Sequence, residues 1–201
     1  MYLNSEHFTN FLHEKEITWL GIDFSKAKFT KKGFEYPQEV LEHYMTAWNM
    51  LIISDQKRYD IRLSFRKPIM QYDLSAVTKK NKAIKASQLL CNNINVADFY
   101  TEADIKSYIE QQSFPQNTAY ALTVVVEAFD AKTKLAALWL VLLKAATSEV
   151  VLCEKFLKEP GGFGIKNYWG RTFYNLFFDV NKYAFPRWEN AIQENNIIHH
   201  L

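Results

Sequence analysis

Two cysteines, six glycines and five prolines are all that the 201 residues contain. Cys91 and Cys153 form no C-x-x-C pair, so they build no zinc site by themselves, while a disulfide between them stays open because sequence gives no geometry. So little glycine and proline leaves no low-complexity tract, repeat or linker-like boundary. An excess of one charge is also missing: Lys+Arg is 24 against Asp+Glu 22, a formal net charge of +2. That balance argues against a nucleic-acid footprint, which relies on clustered cations. No run approaches the ~20 apolar residues of a membrane helix. The closest, Leu135–Leu143, is closed off by Lys134 and Lys144. Met1–Leu12 lacks the basic start, apolar stretch and small-residue cleavage site of a secretory signal. The default expectation is therefore the cytoplasm, with an exported mature chain left open.

Catalytic signatures are scarce too. His7, His13 and His43 are isolated and His199-His200 are terminal, with no HxH or HExxH spacing. No GxSxG elbow marks a nucleophile, although a Ser/His/Asp triad built from distant positions stays open. No metal or cofactor is expected. Lys79-Lys80-Asn81-Lys82 with Lys85 is the densest basic run and reads as a solvated helix face or loop.

Aromatic residues, by contrast, make up 15% of the chain. Most should fill the core, with an excess that leans towards an interaction surface. Three apolar runs, Ala121–Phe129, Leu135–Leu143 and Val150–Leu157, are separated by short polar turns and predict an antiparallel meander. Ile165, Trp169, Thr172, Phe173, Leu176, Phe177 and Val180 then mark one face of a helix. Pro186 should end it, with a terminal helix resuming from Arg187. Further upstream, Tyr2–Leu12 suggests a short helix and Ile17–Phe24 a buried strand. Lys26–Lys31 extends that strand or returns along its edge. Pro37 opens a helix carrying Val40, Leu41, Tyr44, Met45, Trp48, Leu51 and Ile52 on one face. The alternation Tyr59, Ile61, Leu63, Phe65 predicts a half-buried strand, and Ile69–Tyr72 an extended segment. A helix is expected in the second half of Asp73–Leu90, a short strand over Ile94–Phe99, and a helix capped by Thr101 through Gln111. The sum is one α+β domain over 1–201. Its sheet is mixed and mostly antiparallel, with a C-terminal three-strand meander and helices packed on one face. The second and third meander strands, apolar on both sides, should be central or covered twice.

Two stretches are candidate sites. Gly161, Gly162 and Gly164 lead into a helix near Lys166 and Arg171, and such a turn can hold an anion on free backbone N–H groups. It lacks the P-loop ending and the GxGxxG spacing. Its competing reading is a flexible strand-to-helix turn with Phe163 and Trp169 docked in the core. The other is Asp23, at the end of a buried strand, where nucleotide and phosphate enzymes place a metal ligand. Gly21-Ile22-Asp23-Phe24-Ser25-Lys26 resembles the first strand of RNase H-like transposases and of actin-like ATPases. Those families place a hairpin meander directly after this strand and require further carboxylates. Here a helix follows and the meander is C-terminal. The actin-like loop also wants Gly where Ser25 stands.

Across most of its length the chain resembles a family of small uncharacterised bacterial proteins. The stretches that carry the likeness are Trp19-Leu20-Gly21-Ile22-Asp23-Phe24-Ser25-Lys26-Ala27-Lys28-Phe29 and Gly161-Gly162-Phe163-Gly164-Ile165-Lys166-Asn167-Tyr168-Trp169. The resemblance implies no activity and transfers no catalytic residue. Many such proteins are exported. The leading functional expectation is a non-enzymatic binding or assembly module that meets a protein partner or a second copy of itself. The alternative is a small-molecule or anion-binding enzyme centred on Gly161–Arg171 with Asp23 nearby. Nucleic-acid binding ranks third.

Overall fold

Apolar strands with two buried faces need cover on both sides, and that requirement organises the chain. A computed structural model describes residues 1–92 and 99–198. Strand β1 (Tyr2–Leu3) precedes helix α1 (Ser5–His13), capped by Asn4, whose side chain accepts the His7 amide at 3.1 Å. Then come β2 (Glu16–Asp23) and β3 (Lys28–Thr30). A long helix follows: α2 (Pro37–Glu39), a π turn at Val40–Tyr44, and α3 (Met45–Ser54). Next are α4 (Ile61–Ser64), β4 (Ile69–Tyr72), α5 (Ser75–Lys82), α6 (Ala86–Leu89), β5 (Leu90–Cys91) and α7 (Glu102–Glu110). The meander is β6 (Tyr120–Asp130), β7 (Leu135–Lys144) and β8 (Val150–Lys158). A second long helix closes the fold: α8 (Ile165–Asp179), a π turn at Val180–Ala184, and α9 (Phe185–Ile198).

The strands form one mixed sheet in the order β1-β8-β7-β6-β2-β4, with β3 continuing beside β6 and β5 beside β3. Pairing is antiparallel from β1 through β6 and parallel from β6 onwards to β2, β4, β3 and β5. This is the expected α+β class with its C-terminal meander. The cover is more even than expected. Helices α1, α3, α8 and α9 pack on the face carrying Trp19, Leu122, Val124, Leu138 and Leu140. A thinner layer, α5 and α7, covers the other face through Val77, Ile105 and Ile109 over Leu20, Ala121, Val125 and Val141. The one-face arrangement is thus corrected, because β6 and β7 are apolar on both sides and a bare second face would expose them.

The aromatic load goes mostly into the first face. Phe129 on β6 stacks on Trp169 of α8 at 4.5 Å and on Phe29 of β3 at 5.0 Å. Phe8, Phe65, Phe185 and Trp188 form a second group where α1 meets α9.

Three sequence expectations about individual elements change. Tyr59–Phe65 is no strand. Asp60 caps a single helical turn by accepting the Leu63 amide at 3.0 Å, which puts Ile61 and Phe65 together inside and leaves Leu63 60% exposed. In Asp73–Leu90 the longer helix, α5, occupies the first half, and only the single turn α6 lies in the second. Pro186 does not end helical continuity. It cannot donate to the Lys182 carbonyl, and the preceding π turn, closed by the Phe185 amide on the Val180 carbonyl, carries the helix past it. Of the two readings of Lys26–Lys31 the extension holds: the segment contributes β3, which resumes the path of β2 along β6. Apart from Phe99, the strand expected over Ile94–Phe99 lies outside the described residues, as do His199 and His200.

Candidate functional site

β2 and β6 both depart from regular pairing near Asp23. β2 is bulged between Trp19 and Gly21, and β6 between Val126 and Ala128. Gly21 adopts φ +104°, and a Cβ there would sit 2.7 Å from Asn49 Oδ1, so both conformation and space demand glycine. Bulges re-aim side chains, and here two buried carboxylates, Asp23 and Glu127, lie on the second face. β4 pairs with β2 only over Glu16–Trp19, which leaves the Ile22–Phe24 backbone without a neighbouring strand on that side. Two side chains take the strand's place. Asn49 accepts from the Ile22 amide (2.7 Å) and donates to the Ile22 carbonyl (3.1 Å). Asn81 accepts from the Phe24 amide (2.8 Å) and donates to the same carbonyl (2.9 Å).

Asp23 is saturated. Its Oδ1 accepts the Ser25 amide (2.9 Å) and hydroxyl (2.5 Å), and its Oδ2 accepts Lys80 Nζ (2.9 Å) and the Tyr108 hydroxyl (2.7 Å). Burial, and then the Asp23 charge, push the Tyr108 phenol well above its ordinary pKa, so it serves as a proton-bearing donor. Glu127 is held likewise by Trp139 Nε1 (2.5 Å), Lys155 Nζ (2.8 Å) and the Phe99 amide (3.1 Å). Ser25 is exposed, and most backbone amides beside it are already used. The Phe24, Ser25 and Ala27 amides are all engaged, with Asn81, Asp23 and the Phe24 carbonyl. The arrangement clamps α5 and α7 to the sheet, and Lys80 is part of that clamp, not of a solvated face. Among the described residues no three His, Cys, Asp or Glu side chains converge on a metal position.

The glycine turn lies on the opposite face, with α8, so Asp23 is not its neighbour. Gly161 donates its amide to the Tyr168 carbonyl (2.9 Å), and the Lys166 carbonyl accepts Trp48 Nε1 (2.9 Å). Lys166 and Arg171 stand about 140° apart around the helix at 3.6 residues per turn, so the two cations do not converge. Gly162 (φ +106°) and Gly164 (φ +77°) provide the backbone angles of the turn. Trp169 is buried as expected, but Phe163 is 95% exposed instead of docked in the core. The turn holds it out: Asn167 Nδ2 donates to the Phe163 carbonyl (3.2 Å) and the Tyr168 amide to Gly164 (2.8 Å).

What sequence reasoning missed is the outward face of α8. Asn167, Arg171, Tyr174 and Phe178 follow one another at helical spacing opposite the buried stripe, and Lys182 continues the row across the π turn. Arg171 lies 4.4 Å from the Tyr174 ring centroid and Arg58 5.6 Å from it. Tyr174 stacks on Phe178 at 6.4 Å, and Lys182 lies 5.5 Å from Phe178 and 5.2 Å from Tyr183. Beside them Leu63, Ser64, Tyr174, Phe177 and Phe178 line a groove between α4 and α8. The 3-4-4 spacing of cations and rings was visible in the sequence; its partners Arg58 and Leu63 were not. No protein-family model matches this chain, and no curated protein matches it either.

Proposed function

We propose that this chain is a non-enzymatic binding or assembly module and that the outward face of α8, with the groove beside α4, is its partner surface. One observation carries the reading: a continuous row of cations over partly and fully exposed aromatic rings, with Arg171, Tyr174, Phe178, Lys182 and Tyr183 along the second long helix and Arg58 beside it. Phe178 is 47% and Tyr183 57% exposed. Tyr, Phe and Arg at such a density are what protein interfaces concentrate. Phe163, at the N-terminal end of the same helix, leaves about 2–3 kcal/mol of burial energy unrealised in the isolated chain. A partner that covers it would realise that energy.

The test pairs Leu63→Asp with Phe178→Asp. Both side chains are exposed, so the double variant should melt within about 2 °C of the parent. Cross-linking in extracts of the source cell, and sedimentation of the pure protein, should show partner or self-association lost in the variant. An identical set of cross-linked species and an identical sedimentation profile for parent and variant would remove this surface from consideration.

A further inference from the structure

We infer that the occupant of this surface is an acidic protein segment that places one large apolar side chain between Leu63 and Phe178; the inference rests on the binding-module reading above. The first ground is charge. Lys57, Arg58, Arg171 and Lys182 rim the surface, and none meets a carboxylate within ion-pair distance among the described residues, whereas nearby Arg66, Lys158 and Arg187 pair with Glu189, Asp179 and Glu154. Of the acids at that end, Asp60 is already occupied by the Leu63 amide and by Arg62, and Asp55, whose charge reaches Tyr59 together with those of Arg58 and Arg171, offsets part of the positive charge without pairing with either. A row of cations with its rings already in place suits carboxylates, which Arg binds in bidentate fashion.

The second ground is size. The groove holds about 170 Å³, below the ~300–1,000 Å³ of metabolite pockets, and it suits a single anchoring side chain. Its walls are fixed: the Ser64 hydroxyl donates to the Phe177 carbonyl (3.0 Å) and the Tyr59 hydroxyl to the Gly170 carbonyl (3.3 Å). A preformed wall avoids the ordering cost of binding. The third ground separates protein from nucleic acid. Bases stack on open aromatic faces, and the central ring, Tyr174, is flanked by Arg58 and Arg171, which leaves Phe178 and Tyr183 as the exposed rings.

The experiment is fluorescence anisotropy on the full chain with four labelled probes. They are a short Glu-rich peptide with one central Leu, the same peptide with Ser for Leu, the same peptide with Lys for every Glu, and an oligo-dT strand. Vesicles of phosphatidylserine and phosphatidylcholine are tested alongside by co-sedimentation. The Glu-Leu peptide should bind about tenfold tighter than either peptide variant. Arg58→Ala with Arg171→Ala should weaken it at least about fivefold, and its affinity should fall as salt rises. Equal binding of the Lys peptide, indifference to the arginine variants, or tighter binding of oligo-dT or vesicles would overturn the inference. If no peptide binds while Leu63→Asp with Phe178→Asp still abolishes the cross-links, the acidic-segment inference falls and the module reading stands. If those cross-links also persist, both fall.

Discussion

Lys67 shows how one side chain can end a helix. Its ammonium is buried and donates to the carbonyls of Phe11 (2.6 Å), Leu12 (3.3 Å) and Glu14 (2.9 Å) at the end of α1, where the Phe11 carbonyl also accepts a backbone amide, that of Glu14 (3.1 Å). It also sits 3.9 Å from the Phe11 ring centroid. Burial lowers its pKa from 10.5 to about 8. The sign of the consequence follows from linkage. Between about pH 8 and 10.5 the unfolded chain keeps a proton that the folded chain has released, so stability rises with pH across that window. The slope from this group is at most about 1.4 kcal/mol per pH unit. Urea unfolding of the parent minus that of Lys67→Met should show this rise. At pH 7 the variant should lose about 1–3 kcal/mol, because the Leu12 and Glu14 carbonyls lose the Lys67 donor and the Phe11 carbonyl keeps only the Glu14 amide. Lys80 gives a second residue-scale prediction. Lys80→Met strips buried Asp23 of its cation and should cost about 2–3 kcal/mol, less than the ~3–5 of a fully buried pair because Lys80 keeps some solvent. Exposed Lys79, one residue away, should change stability by no more than about 0.5 kcal/mol when replaced by Met. Thermal and urea melts of the two variants decide whether the basic run is a clamp or a solvated face.

Elements here are completed by side chains from other elements. Beyond Trp19, β2 has lost β4 as a neighbour, and Asn49 from α3 and Asn81 from α5 stand in for a strand. Asn49→Ala should leave the Ile22 amide without its acceptor, while the Ile22 carbonyl keeps Asn81, and cost about 1–3 kcal/mol. Hydrogen exchange should report it locally, with Ile22 losing protection while the β6–β7 amides hold. Full protection at Ile22 in the variant would mean that water or a shifted β4 fills the gap. The two long helices follow the same logic. Each contains a π turn, and the second lets α9 proceed through Pro186 while turning Lys182 and Tyr183 outward. A π turn at the proposed interface accords with the frequent placement of such turns at functional sites.

At the scale of the molecule, β6 joins distant parts of the chain. β2 pairs with it in parallel, Thr18 and Thr118 share a hydrogen bond at 2.9 Å, and Thr123 donates to the Gly21 carbonyl at 2.9 Å. The N-terminal strands therefore have no sheet until the meander exists. A fragment ending at Thr118 should show no cooperative thermal transition, since β2 would lose β6, its parallel partner, and the cover that α8 and α9 give its first face. The whole chain, dominated by such distant pairings, should fold in milliseconds to seconds. A sharp melt of the fragment would contradict this account.

By itself the sequence determined whatever depends on neighbouring residues. The three apolar runs of the meander, the buried stripe Trp169–Thr172–Phe173–Leu176–Phe177–Val180 and the Pro37 helix start were all legible, because periodicity and capping act within a few residues. Alternation misled at Tyr59–Phe65, where the Asp60 cap and an inward pair at spacing four serve the same pattern. Only the tertiary structure decided which partners meet. Asp23 finds Lys80 and Tyr108, Phe163 is held out instead of in, and Arg171 joins Arg58 and Leu63 on one surface instead of joining Lys166 at a turn. Those outcomes depend on which bulge turns a side chain, which helix covers which face and which side of α8 the α4 turn reaches. Such choices are made by packing between segments far apart in the chain, and local pattern carries no trace of them.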